Sequence, residues 1–142
     1  MRKAGVLSLL ILACVFALHM TSSASGQEGK KSKEGADFSI AKIVVAEDVR
    51  DREPVGVAEV FPSSTEKVYC FIEATDIREN TEVTFIWYHE GKKLHTYSLP
   101  LMEGPRWRTF SYKNLHGMTG PWKVEIRDSA GNSIESISFK VA

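Results

Sequence analysis

The chain reads as an all-β protein, an antiparallel, immunoglobulin-like β-sandwich of about seven strands, and three observations predict this. Apolar and polar residues alternate in short runs. The cleanest is Pro121–Arg127, where Trp122, Val124 and Ile126 point one way and Lys123, Glu125 and Arg127 the other. Glycine, proline or other turn-forming residues bound these runs at spacings close to the roughly 8–12 residues of a sandwich. Each of the three tryptophans, Trp87, Trp107 and Trp122, lies on its own run, as rings that anchor a core do. A closed barrel is the alternative architecture. No stretch after Phe38 shows the period of an amphipathic helix.

Residues 1–26 have the order of a signal peptide. Arg2 and Lys3 form a basic end, Val6–Leu18 is apolar and uncharged, and Ser22–Gly26 offers small residues for cleavage. The apolar run is shorter than the roughly 18–20 residues of a membrane-spanning helix. An uncleaved anchor and lipid attachment at Cys14 are the alternatives, but Val15–Leu18 prolongs the apolar run past that cysteine. The expected location is therefore periplasmic or otherwise extracytoplasmic, the alternative being a chain tethered to the membrane by its N-terminal segment. Residues 27–37 are charged and glycine-punctuated, too polar to offset their ordering entropy, and read as a flexible linker. Residues 38–142 then form one domain, a length typical of a single core.

Within the domain, Ile40–Ala46 is a first strand, apolar on both faces. Asp51–Gly56 breaks it, because Pro54 removes a ladder donor. Glu59–Ser64 is a second break, after a short edge strand at most. Lys67–Ala74 and Glu82–His89 follow as strands. Glu90-Gly91 turns the second of these into Lys92–Leu99. Pro105–Tyr112, Pro121–Arg127 and Ile134–Val141 complete the set. The expected core holds Val68, Cys70, Trp87, Trp122, Ile126 and Phe139, with Trp107 also inward. Cys70 is the lone cysteine after the signal segment, so it has no intramolecular partner; on the strand face of Val68 and Ile72 it is expected to be buried and inert.

The segments Asp51–Gly56, Val68–Phe71, Trp87–Lys92, Arg106–Lys113 and Gly120–Val124, in that order, resemble the bacterial domain-of-unknown-function family 2914. The resemblance spans about Phe38–Val141 and implies an exported β-sandwich-like domain whose biochemical role is not established. The chain departs from the family at two places. Phe85 stands where relatives often carry histidine, and Ala46 where many carry a second cysteine, so no metal or redox role carries over.

The residues argue against catalysis. Formal net charge is zero, without the basic footprint of nucleic-acid binding. No serine among Ser63, Ser64, Ser111, Ser129 and Ser133 stands in a Gly-x-Ser-x-Gly elbow. A two-residue turn at Glu90-Gly91 sets His89 opposite Lys92 and His95 opposite Ile86. That register separates the two histidines onto opposite faces, and His116 is the only other one in the domain. No metal site is expected, and no cofactor. Asp48, Asp51 and Glu53 interleave with Arg50 and Arg52, which favours ion pairs over a calcium cage. The expectation is a protein that is not an enzyme.

What remains is an asymmetry. Tyr69, Phe71, Tyr88, Arg106, Arg108, Phe110 and Tyr112 occupy second strand faces that ought to be polar if solvated. Either Asp51–Ser64 folds over them, or they are a candidate binding face for a protein partner or a second copy. Arg106 and Arg108 carry the same two readings: held by Asp51, Glu53 or Glu73 they pin that segment, and left free they form a cationic–aromatic strip for an acidic partner. The expected function is a non-catalytic cell-envelope interaction module. The alternative is a small carbohydrate-recognising sandwich, which needs its aromatics in a groove rather than a flat patch.

Overall fold

A computed structural model describes residues 37–142. The expected signal peptide, and the linker up to its last residue, lie outside the described residues, among which no helix is long and apolar enough to cross a membrane. The described residues form nine strands: β1 (Ser39–Arg50), β2 (Glu53–Val57), β3 (Val60–Phe61), β4 (Lys67–Ile77), β5 (Thr81–His89), β6 (Lys92–Leu101), β7 (Gly104–Asn114), β8 (Gly120–Arg127) and β9 (Ser133–Val141). They form a four-stranded sheet, in the order β2-β1-β4-β7, and a five-stranded sheet, in the order β3-β9-β8-β5-β6. Every pairing is antiparallel except β3 with β9. The architecture is the expected sandwich and not a barrel, with nine strands rather than about seven.

The two additional strands are edge strands, and that is why the breakers did not break them. Pro54 lies in β2 opposite Val49, on an edge where its missing N–H leaves no second neighbour unpaired. Gly56 is left-handed (φ 70°), a backbone that a larger residue would hold only under strain, and a Cβ there would lie 2.8 Å from the Glu47 carboxylate and displace it. β3 is two residues long, pairs with Lys140 and Val141, and buries Phe61 against Phe139 in an edge-to-face contact at 5.7 Å.

The core lies between the sheets. β4 contributes Val68, Cys70, Ile72 and Ala74, β5 contributes Val83, Phe85 and Trp87, and β8 contributes Trp122, Val124 and Ile126, all buried. Phe139 stacks on Trp122 at 5.9 Å and meets Trp87 edge-on at 6.3 Å. The Trp87 indole Nε1 donates across the sandwich to Ser111 Oγ at 3.0 Å, satisfying both buried polar groups. Trp107 departs from expectation. It shares the inward face of β7, yet it is 37% exposed, because β7 is an edge strand with one neighbour and little beside it to close over the ring.

The β5–β6 turn has Glu90 and Gly91 both left-handed, the two-residue geometry that matches strand twist, and it pairs His89 with Lys92 as expected. One residue then slips. Tyr88 faces Lys93 but Trp87 faces His95, because Leu94 is an extra residue on β6. The bulge carries His95 to the face of Trp87, where it stacks on Tyr97 at 4.1 Å. The expected separation of His89 and His95 onto opposite faces is therefore wrong.

Candidate functional site: the outer face of the four-stranded sheet

The β4–β7 register fixes what shares this face. Tyr69 lies opposite Tyr112, Phe71 opposite Phe110, Glu73 opposite Arg108 and Thr75 opposite Arg106. The face continues onto β1 through Ala46, Val44 and Lys42. Six of the seven expected face residues thus come together. Tyr88 does not. It belongs to β5, on the outer face of the other sheet, so it sits on the far side of the molecule. Strand alternation says which residues share a face of one strand, but not which of two sheets the strand joins.

The face is half covered. Glu53 pairs with Arg50, eight residues further along β1 than Lys42, which lies in the row of Glu73 and Arg108. In a straight ladder that offset is roughly 25 Å. The Arg108 guanidinium nevertheless contacts Glu53 directly while its Nε donates to Glu73 Oε2 at 2.9 Å. β1 must therefore bend and bring the β1–β2 hairpin back over the outer face. The same bend accounts for Phe71, an outer-face residue that is only 1% exposed and lies outside the central core. Phe110 and Tyr112 remain 40% and 44% exposed. One part of the face is thus covered and another part is exposed.

The uncovered part is an aromatic cluster. Tyr69 meets Phe110 at 5.7 Å and Tyr112 at 5.6 Å, with tilted rings. Lys67 places its ammonium 4.4 Å from the Tyr112 ring centre and 5.9 Å from that of Tyr69, a cation–π arrangement that the sequence reading missed. A recess of about 150 Å³ beside it is lined by Tyr97, Leu99, Phe110, Ser111 and Tyr112. That is below the roughly 300 Å³ at which small-molecule pockets begin.

The arginines fall into place at the other end of β7. Glu73 is shared, accepting from Arg108 and lying 3.7 Å from Arg106 Nε. Its hydrogen bond, first, and the charge of Glu53 hold the Arg108 guanidinium even more firmly protonated than usual. Asp48 accepts from Arg50 Nε at 2.8 Å and from the Val49 N–H, and its carboxyl is held below the usual range by those bonds. These carboxylates are thus engaged by arginine, and no group of three or more potential metal ligands occurs among the described residues.

The remaining candidates are dispersed. His89 Nε2 lies 2.6 Å from the Thr119 carbonyl, which can only accept, so that nitrogen carries the proton, and the ring stacks on Trp122 at 4.6 Å. Ser63, Ser64, Glu66, Asn114 and His116 line a polar recess of about 310 Å³ between the loops that lead into β4 and out of β7. Cys70 is fully buried, and burial pushes its thiol far above the ordinary range. It faces Val45, whereas Ala46 faces Tyr69 on the opposite side of the sheet. A cysteine at position 46 would therefore point away from Cys70. On the other sheet, Glu125 accepts from Arg127 and, at 3.2 Å, from the Tyr88 hydroxyl; the Arg127 bond, above all, holds its carboxyl below the usual range.

Compared with known proteins, residues 80–141 match the family described as "Protein of unknown function (DUF2914)". No curated protein matches the sequence. Among solved structures the chain is similar to part of a β-glucosidase from Listeria innocua in complex with glucose, at 7% identity and a TM-score of 0.45, covering 74% of this chain and 16% of that one. It is similar to part of the Kluyveromyces marxianus β-glucosidase in complex with glucose, at 11% identity and 0.44, covering 74% and 14%. A Bifidobacterium adolescentis GH3 β-glucosidase gives 12% identity and 0.45, covering 75% and 17%. The chain thus spans a small fraction of the length of each, and likeness at that level carries no argument about this chain.

Proposed function

We propose that this chain, whose residues 80–141 are a DUF2914 match, is an exported, non-catalytic interaction module of the cell envelope, and that it receives a protein partner on the uncovered outer face of its four-stranded sheet. The observation that carries this reading is the Tyr69–Phe110–Tyr112 cluster. Two of its rings are 40% and 44% exposed, side by side, on a sheet whose remaining apolar ring is covered by a folded-back hairpin. Aromatic residues of this kind are enriched at the energetic centres of protein interfaces. The small size of the adjoining recess, about 150 Å³, favours a protein over a sugar.

The reading as non-catalytic rests on how the polar groups are engaged. Glu125 is bonded to Arg127 and Tyr88, Arg108 to two glutamates, and His89 to a main-chain carbonyl. The N-terminal order of charge, apolar run and small residues supports export. The test uses the isolated protein as bait in envelope extract, beside a variant carrying Phe110→Asp and Tyr112→Asp. A partner retained by the parent and lost by an equally stable variant is the expected result. A partner retained by both would remove the face from the proposal. Mass measurement of the exported chain should place its start between Ser25 and Gln27, and a lipid-bearing Cys14 at the N-terminus would refute cleavage there.

A further inference from the structure

Among the described residues the two sheets end in four edge strands, and three of these are blocked against further pairing. β2 is short and contains Pro54 and the left-handed Gly56, and β3 is two residues long. β6 has the Leu94 bulge, Pro100 and two lysines, Lys92 and Lys93. β7 has no such break past Pro105, and Arg106–Asn114 runs beside β4 in unbroken register. The ladder shows which of its main-chain groups are spent. The Leu115 N–H donates to the Glu66 carbonyl at 2.8 Å, continuing that register as a hydrogen-bonded pair. Hydrogen-bonded and open pairs alternate along an antiparallel ladder. Lys113, Ser111, Thr109 and Trp107 therefore bond to β4, while the N–H and C=O of Arg106, Arg108, Phe110 and Tyr112 point to the free edge. The alternation agrees across β1, where the Ala58 N–H takes the Val45 carbonyl and leaves Ala46 to bond with Tyr69. β7 also exposes rings on both faces, Trp107 at 37% on the inner one and Phe110 and Tyr112 at 40% and 44% on the outer. The guanidinium groups of Arg106 and Arg108 turn back over the sheet toward Glu73 on β4, which leaves the edge unguarded.

We propose that β7 takes a further strand: an extended segment of a protein partner adds to this edge beside Phe110 and Tyr112. The inference rests on the reading of that face as a partner site and states how the partner is held. Main-chain bonds to the outward groups supply affinity, and alternate side chains supply selectivity. The recess of about 150 Å³ between Tyr97 and Leu99 on β6 and Phe110, Ser111 and Tyr112 on β7 adjoins the edge, and its size suits one apolar side chain of the added strand. The hairpin tip stands at the other end, where Arg52 lines a recess with Arg106, Trp107 and Arg108, so the added strand centres on Phe110 and Tyr112. Charge selects the occupant. β7 carries no carboxylate, and Lys67 and Lys113 at this end have no ion-pair partner among the described residues. A strand with an acidic residue there fits, whereas the β7 of a second copy would bring only cations.

The test titrates the isotope-labelled exported protein with synthetic nonapeptides that alternate valine and threonine and carry glutamate at both ends. Controls are a peptide with lysine at both ends and two copies N-methylated at alternate residues, one along each edge. The glutamate peptide should slow amide exchange at Arg108, Phe110 and Tyr112, which should be fast in the free protein, while Thr109, Ser111 and Lys113 stay slow throughout. One N-methylated copy should bind like the parent and the other should not bind, and the lysine peptide should bind more weakly. Phe110→Ala and Phe110→Pro lose the same ring, but only proline loses the outward N–H, at an edge position that tolerates it. The proline variant should therefore bind the glutamate peptide on the order of tenfold more weakly than the alanine variant. Failure of every peptide to bind, or binding that leaves the three amides exchanging or that both N-methylated copies share, overturns strand addition. An envelope partner that survives Phe110→Pro but not the paired aspartate substitutions keeps the face and overturns the edge. A dimer that forms without peptide and dissociates in Phe110→Pro overturns the choice of occupant in favour of a second copy.

Discussion

The hydrogen bond between Trp87 and Ser111 is a polar contact that crosses the core, and it makes a quantitative prediction. Trp87 is fully buried and Ser111 is 5% exposed, so neither group can turn to water if the other is removed. Ser111→Ala leaves the indole N–H buried without an acceptor, which costs about 1–3 kcal/mol. Trp87→Phe leaves the Ser111 hydroxyl orphaned at a similar cost, about 1–3 kcal/mol, and adds the loss of the second ring from a close-packed site. Once phenylalanine is present, Ser111→Ala removes an orphan instead of creating one. Its cost should then fall to near zero or change sign. The cycle should therefore show a coupling of about 1–3 kcal/mol, within the range for residues in direct contact. Urea denaturation of the four proteins, followed by far-ultraviolet circular dichroism, measures it. If Ser111→Ala costs the same in both backgrounds, the bond contributes nothing and the two sheets are joined by apolar packing alone.

Three further outcomes follow from the same geometry. Glu125 has its folded carboxyl held below its unfolded value, chiefly by the Arg127 bond, so its contribution is present above the ordinary glutamate range and is lost as pH falls through the folded value; Glu125→Gln should flatten the acid limb of the stability curve, and an unaltered limb would place acid sensitivity elsewhere. Arg108→Ala removes the tie between β7 and the hairpin tip, so amide exchange should speed up across Glu53–Val57 while β5 and β8 keep their protection; unchanged exchange would mean the hairpin is held by packing. Cys70 should react with thiol reagents no faster than the protein unfolds, because its thiol is buried and its pKa is raised; rapid labelling of the native protein would contradict that.

Much of the fold was legible because it rests on alternation. The period-two pattern of Trp122, Val124 and Ile126, or of Val83, Phe85 and Trp87, needs only the strand's own geometry and burial on one side. The misses have particular causes. Pro54 and Gly56 signal a break only for a strand that must pair on both sides, and β2 pairs on one. Leu94 is apolar and sits in an apolar run, so nothing local marks it as the bulged residue, and one inserted position was enough to carry His95 to the other face. Trp107 obeys its alternation and is exposed nonetheless, since alternation gives direction and not cover.

The candidate site shows the same limit at a longer range. That Tyr69, Phe71, Arg106, Arg108, Phe110 and Tyr112 lie off the core was readable strand by strand. That they form one face, and that Tyr88 does not join it, depends on strand order, which only the sheet as a whole decides. The cover was half visible. The charge density of Asp51-Arg52-Glu53 suggested a segment pinned to arginines, and Arg108 does reach Glu53 and Glu73. What no sequence pattern showed was the bend in β1 that brings the tip over Phe71 yet stops short of Phe110 and Tyr112. That bend decides the functional argument. It divides a face that alternation treats as uniform into a covered apolar ring and an open aromatic patch.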